Sequence, residues 1–359
     1  MSTELQQRLL HAVREIEDPH LHRPLGDAVE AVALAGQRAA VRIRLGYPAS
    51  GWRERLEAAV RARLADSGID EVAVDIDWRI VEHAVQEGLT PLPGVRNIIA
   101  VASGKGGVGK STVATNLALA LQAEGARVGV LDADVYGPSQ PRLLGLKGRP
   151  EATADRRIMP LEAFGIQAMS IGVLVAEDQA MIWRGPMASQ ALTQLVESTL
   201  WDRLDYLVLD LPPGTGDIQL TLAQRIPVAG AVLVTTPQTL ALDDVRRASA
   251  MFTKVKVPTL GVIENMSTYV CPNCGHEDAV FGSGGGERIA AECALALLGR
   301  IPLDRTIASG ADRGAPVVVA DPGHPASQRF REIARVVAAR LAAQPLNTRI
   351  PMPKVRISD

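Results

Sequence analysis

The stretch "NIIAVASGKGGVGKST" constrains this chain more than any other. An apolar run at 97–103 leads into Gly104-Lys105-Gly106-Gly107-Val108-Gly109-Lys110-Ser111-Thr112, which fits G-x-x-x-x-G-K-[ST], and a helix-period stretch follows at 111–125. Strand, glycine-rich turn and helix in that order make a phosphate cradle. Gly104, Gly106, Gly107 and Gly109 let backbone N–H groups turn inward around phosphate oxygens, where side chains would stand in the way. The helix that follows presents the positive end of its dipole to the same anion. Lys110 is expected to reach the β- and γ-phosphates, and the Ser111 hydroxyl to ligate Mg²⁺. A glycine-rich turn with a chance lysine is the plain alternative, and the strand before it and helix after it argue against that.

Lys105 sits inside the same loop. A long cation directly after the first glycine does not fold back easily beside Lys110. It is better placed to point outward, toward a nucleotide held by a facing subunit, the alternative being a solvated surface lysine. Two further apolar runs end in acid. "LDLPPGTGD" (209–217) supplies Asp210, a candidate Mg²⁺ holder through water, and a loop whose Gly214 would sense the γ-phosphate. "LDADVYGPS" (131–139) supplies Asp132 and Asp134, of which Asp134 is the candidate that orients the attacking water. Each Asp alone could be a strand cap. All three lie where open α/β sheets bind ligands, at the carboxyl ends of parallel strands, and together they point to an ATPase.

The rest of the chain supports that architecture. Short apolar runs at 97–103, 127–134, 206–211, 230–236 and 259–266 alternate with helix-period stretches such as 111–125 and 189–201. Strands apolar on both faces belong to a parallel sheet covered by helices. Aromatics make up only 3% of the 359 residues, so the core is aliphatic, as such sheets are. Ahead of this lies a different texture. Leu5, Leu9, Leu10 and Val13 have helical spacing, and Val41, Ile43 and Leu45 alternate with Arg42 and Arg44 as a half-buried strand. A helix at 51–68 and an alternating strand at 71–80 complete a small α+β unit. The expected division is a small α+β domain over 1–88, a Pro- and Gly-rich linker over 89–96, a P-loop domain over 97–344 and an extended tail over 345–359. The formal net charge of −2, without a long basic block, leaves no charge argument for nucleic acid or an anionic membrane. No apolar run has membrane-spanning length, the N-terminal stretch lacks a signal-peptide layout, and the three cysteines form no disulfide framework. The expected location is the cytoplasm.

"YVCPNCGHE" (269–277) places Cys271 and Cys274 two residues apart, half of a tetrahedral thiolate set. An iron–sulfur cluster or a structural zinc usually takes four ligands. His276 would be a third donor for zinc, and a turn without metal is also open. Cys293, in "GERIAAECALALLG", reads as a small buried hydrophobe within a helix. His20 and His22 form an H-x-H beside Asp18 and read as a solvated loop. Trp183 and Arg184 in "WRGPM" either line a switch region or pack.

The motif with its second lysine resembles the deviant Walker A ATPases, the MinD, ParA and nitrogenase iron-protein group. "GKGGVGKST", "DADVYGPSQPRLLG", "WRGPM", "DLPPGTGD", "ENMS", "CPNCGHEDAVFGSGGGERIA" and "GRIPLD", in this order, resemble the Mrp/ApbC iron–sulfur carrier proteins. The small N-terminal unit resembles the iron–sulfur assembly domain fused in front of bacterial members. Many such domains carry a loop cysteine, whereas "LGYPASGW" (45–52) has none, so no thiol role is expected for this unit.

The resemblance implies a P-loop NTPase fold and a homodimer whose subunits face each other across ATP. It implies that Asn265 bonds the adenine, that Lys105 crosses to the partner, and that the C-x-x-C pair lies at the interface. Two protomers would then offer Cys271 and Cys274 twice, four thiolates around one [4Fe–4S] cluster. Apo iron–sulfur proteins and cluster scaffold proteins are the partner classes this implies, with neither nucleic acid nor membrane among them. The competing reading is a dimeric positioning ATPase of the MinD or ParA kind with a structural zinc at the thiol pair.

Overall fold

The structure is a computed structural model, and it describes residues 2–174, 185–271 and 273–347. The N-terminal unit contains helix α1 (Ser2–Arg14), strands β1 (Val29–Ala35) and β2 (Arg38–Leu45), helix α2 (Arg53–Leu64) and strand β3 (Glu71–Trp78). Alternation drives it: Val41, Ile43 and Leu45 are buried against Leu56 and Val60 of α2 in one apolar cluster. The opposite face pairs Arg38 with Glu71 and Arg42 with Asp75 across β2 and β3, which run parallel. β1 was not legible in the sequence. A register shift between Val29 and Ala31 breaks its period of two, so its apolar residues do not alternate.

The larger unit is one eight-stranded sheet. Its strands are β4 (Val95–Ala102), β5 (Val128–Asp132), β6 (Leu161–Ala163), β7 (Ile166–Ser170), β8 (Leu204–Asp210), β9 (Val228–Thr235), β10 (Thr259–Glu264) and β11 (Leu297–Arg300). Their spatial order is β11-β10-β9-β4-β8-β5-β7-β6, parallel throughout except for the edge hairpin β7–β6. The helices include α3 (Lys110–Ala123), α4 (Gly185–Ser198), α5 (Asp217–Arg225), α6 (Thr239–Lys254), α7 (Gly285–Glu292), α8 (Arg305–Asp312) and α9 (Pro325–Ala342). Val228–Thr235 is buried along its whole length, as a strand covered on both faces must be. No described helix is long and apolar enough to cross a membrane.

The two units share a seam. One continuous apolar cluster joins Leu56 and Val60 to Leu117 and Leu121 of α3 and to Phe330 and Val337 of α9. At its edge Glu124, fully buried just past the end of α3, accepts from Arg331 Nε at 2.7 Å, Arg335 Nη1 at 2.8 Å and the Gly51 N–H at 2.7 Å. Asp18 and His20 complete the seam, contrary to a solvated H-x-H loop. His20 is 7% exposed, while His22 lies in the solvent. Arg335 Nε donates to His20 Nε2 at 3.1 Å, which leaves the proton on Nδ1 to face the Tyr47 oxygen, also at 3.1 Å. Tyr47 in turn donates to Asp18 Oδ2 at 2.7 Å.

The connecting stretch is ordered by packing rather than left free. Gln86 is buried and donates to the Ala223 carbonyl, and Val95 and Arg96 already belong to β4. Ala84 donates to the Pro345 carbonyl and Asn347 to the Glu82 carbonyl, so the first residues of the tail run beside this stretch. Residues 348–359 lie outside the described residues. One helix is shorter than expected: α7 ends at Glu292 because Ala294 takes a left-handed backbone (φ 52°). Cys293 therefore caps the helix, half-buried, and the "LLGR" after it is the edge strand β11.

Candidate nucleotide and thiol sites

β4 delivers the chain to the cradle, and α3 leaves it from Gly109 in a left-handed conformation (φ 80°). Two of the glycines have visible reasons beyond phosphate access. A Cβ on Gly104 would lie 2.2 Å from Asp244 Cβ of α6, and one on Gly109 would lie 2.3 Å from Asn265 Nδ2. Gly106 has open space around it, which is where a ligand rather than the protein would object to a side chain. Val108 is buried, Thr112 sits on the first turn of α3, and Lys105 is half-buried beside Ser103, whose hydroxyl donates to the Lys105 carbonyl at 2.8 Å.

The acidic residues gather as their strand positions require. Asp210 and Asp132 are register partners at the carboxyl ends of β8 and β5. Lys110 Nζ bonds the buried Asp210 Oδ1 and lies 3.1 Å from Ser111 Oγ. One cation thus already stands between a hydroxyl and a carboxylate, and that pair of hard oxygen donors fits Mg²⁺. Here Lys110 turns to Asp210, so reaching a phosphate requires it to exchange that partner. Gly214 likewise gives its N–H to the Ser103 carbonyl at 3.0 Å.

Asp132 and Asp134 divide the labour. Asp132 Oδ2 accepts from Ser139 N (2.8 Å), Gln140 N (3.0 Å) and Ser170 Oγ (3.1 Å), and Oδ1 accepts from Asp134 N (3.1 Å). Burial and the neighbouring Asp210 push its carboxyl up to about 7 against the pull of those donors. It is an anchor for the loop. Asp134 is half-buried, accepts from the backbone N–H groups of Tyr136 and Gly137 at 3.2 Å, and borders an open cavity with Pro212, Pro213 and Gln219. Sequence reasoning missed Gln140, buried between these carboxylates; nothing in "GPSQP" says that its side chain turns back to the P-loop.

Asn265 lies 7% exposed against the phosphate loop. Its buried Nδ2 donates to the Val108 carbonyl at 2.8 Å, inside the phosphate loop. A few residues on, Tyr269–Val270 pairs with Glu277–Asp278, and the thiols occupy the tip of that ribbon. The Cys271 N–H donates to the His276 carbonyl and the Gly275 N–H to the Cys271 carbonyl, both at 2.9 Å. Cys271 is half-buried and Cys274 exposed. Backbone N–H groups of Asn273 and Cys274, then the Cys274 side chain, hold the Cys271 thiol below its ordinary range. Among the described residues no three His, Cys, Asp or Glu side chains gather as a metal set, and His276 meets the pair through its backbone carbonyl. Trp183 and Arg184 lie outside the described residues.

Comparison with known proteins shows the family. Residues 94–338 match the family model of the NUBPL iron-transfer P-loop NTPases. The chain belongs to that family. Residues 6–74 match the model of the iron-sulfur cluster assembly proteins. The chain is 44% identical over 353 residues to the iron-sulfur cluster carrier protein of Haemophilus influenzae, covering 95% of this chain and 93% of that one. It is 52% identical over 274 residues to the carrier of Escherichia coli K12, covering 74% and 73%. Among solved structures, the ADP-bound nucleotide-binding protein of Archaeoglobus fulgidus superimposes with TM-score 0.57 at 36% identity, over 66% of this chain and 93% of that one. The cell division ATPase MinD of Pyrococcus furiosus shares the fold, with TM-score 0.53 at 23% identity over 67% and 98% of the two chains. An iron-transfer NTPase of this family thus combines a nucleotide cradle with a thiol pair on an exposed ribbon.

Proposed function

We propose that this protein is a cytoplasmic ATP-hydrolysing carrier that holds a [4Fe–4S] cluster as cargo between two identical subunits and passes it to apo iron–sulfur proteins. Cluster scaffold proteins are the source this reading implies, with neither nucleic acid nor membrane as a partner. The observation that carries it is the thiol ribbon: two cysteines on each chain's ribbon, one exposed, with no third His, Cys, Asp or Glu side chain gathered beside them among the described residues. A site with half the ligands of a cubane needs a second copy, and a two-fold axis supplies it. The lowered Cys271 thiol favours the thiolate that binds iron. A cluster at a surface seam can be reached by a recipient's own cysteines.

The nucleotide half follows from the same residues. Loop amides and Lys110 hold the phosphates of ATP, and Ser111 and Asp210 would hold Mg²⁺, which would supply charge neutralisation to the phosphates. Asp134 orients a water in line with the γ-phosphorus. The water oxygen forms the new P–O bond, the bond to ADP breaks, and the proton leaves with the phosphate. Lys105 reaches across to the partner's nucleotide, so turnover depends on dimerisation. Anaerobic reconstitution with iron and sulfide tests the carrier reading: about four iron atoms per dimer are expected, lost in Cys271→Ser and in Cys274→Ser and kept in Cys293→Ser. Zinc bound tightly with no iron taken up would overturn it in favour of the positioning-ATPase reading.

A further inference from the structure

Gln140 touches three parts of the nucleotide site at once. Its Nε2 donates to Asp210 Oδ2 at 2.9 Å and to the Ser111 carbonyl at 3.2 Å. Its Oε1 accepts from the Thr115 hydroxyl at 2.7 Å, one turn further along α3. Its own N–H donates to Asp132 Oδ2 at 3.0 Å. The residue is fully buried, so these bonds face no competition from water.

The chemistry of a carboxylate says why this matters. Asp210 has two equivalent oxygens and can turn either toward a cation. Buried as it is, neither oxygen can be left without a donor except at the full cost of its lost hydration. Gln140 occupies Oδ2, and Oδ1 is thereby left facing Lys110 Nζ and, beside it, Ser111 Oγ. Asp132 meanwhile grips the loop at both ends, through the N–H groups of Asp134 and Gln140. The Gln140 side chain carries that grip across to the phosphate loop.

We infer that Gln140 is a positioning residue for the metal-assisted step: it fixes the rotation of Asp210 so that one oxygen is presented beside Ser111, and it ties the loop bearing Asp134 to α3. The inference rests on the reading of Ser111 and Asp210 as the magnesium ligands. An amide suits the place as other side chains do not. A glutamate would add a third negative charge beside Asp132 and Asp210. A leucine would fill the volume and take the amide donor from Asp210 Oδ2, while the Thr115 hydroxyl would keep only its bond to the Ser111 carbonyl at 2.8 Å.

The test uses the full-length protein with Gln140→Leu and Gln140→Glu. Binding of a fluorescent ADP analogue is followed in EDTA and across a magnesium titration, alongside kcat and KM for ATP. In EDTA both variants should bind as wild type does, because loop amides and Lys110 are untouched. The magnesium needed for half-maximal binding should rise about ten- to a hundred-fold, the usual effect of removing a partner that orients a metal ligand. kcat should fall with little change in KM for ATP at saturating magnesium. A wild-type magnesium midpoint in both folded variants overturns the inference, and so does an equal loss of affinity with and without magnesium, which would mark a packing role. Ser111→Ala and Asp210→Asn separate the two levels: if they too leave the magnesium midpoint unmoved, the ligand assignment itself has failed. Should Gln140→Leu not fold, Gln140→Glu carries the test, since its carboxylate still accepts from Thr115.

Discussion

Asn265 Nδ2 donates to the Val108 carbonyl at 2.8 Å, and Cys271 follows six positions later in the sequence. The segment that ends in the thiols is therefore fastened to the loop that holds phosphate. A nucleotide that draws the loop amides inward has to shift the Val108 carbonyl or its partner. We expect ADP or ATP to change the rate at which Cys274 reacts with a soluble alkylating reagent several-fold, and Asn265→Ala to remove that dependence. Equal rates with and without nucleotide in the wild type would show that the fastening transmits nothing.

Lys110→Ala should lower ATP turnover by orders of magnitude, because the cation that balances the transferred charge is gone. Lys105→Ala should hydrolyse poorly while keeping most of its ATP affinity. Mixing Lys105→Ala with Asp134→Ala subunits should restore one working site in each heterodimer. Turnover that stays at the level of the separate variants, with heterodimers demonstrated, would mean that Lys105 does not act across the interface.

Asp18 gives a pH prediction for the seam. Burial raises its carboxyl, but hydrogen bonds from the His20 side chain, Tyr47 and the His20 N–H outweigh this and leave it below the usual 3.8. A carboxyl depressed in the folded state contributes stability that is present above 3.8 and lost as pH falls through its folded value. Thermal unfolding should therefore show a loss of stability below about pH 4 that is smaller in Asp18→Asn. The same acid dependence in both proteins would place its origin elsewhere.

A chain shortened to begin at Pro93 should still bind nucleotide, yet melt below the full-length protein, because it exposes the apolar face of α3 and α9 together with Glu124. In the full-length chain, Glu124→Gln should cost about 3 kcal/mol, the lower end of the range for breaking a buried pair, since both arginine partners retain some solvent contact. Calorimetry decides both, and unchanged melting temperatures would mean that the seam contributes nothing.

The P-loop, its acidic strand ends and the thiol pair were legible because each is a local pattern read against one neighbouring element. The seam was not. Glu124 and Arg335 are 211 positions apart, and nothing in "QAEGARV" or "REIARVV" indicates that they meet. The hairpin β6–β7 was missed because its turn places Phe164 and Gly165 at positive φ without the Asn-Gly or Asp-Gly that usually announces it. Gln140 escaped for a different reason: a glutamine before a proline reads as loop, and only the fold shows that its amide returns to Asp210. His20 was misread because an H-x-H between polar residues looks solvated until Tyr47 and Arg335 close over it.

The pairing of residues 82–84 with 345–347 has a topological consequence. The chain comes into the NTPase unit and runs out of it side by side at this spot, so its two ends are neighbours. A permuted gene that placed residues 1–78 behind Asn347 could reach the same seam through a linker long enough to span the gap. Arrangements with the small unit in front, behind or supplied as a separate polypeptide are then variants of one architecture, differing in effective concentration rather than in shape.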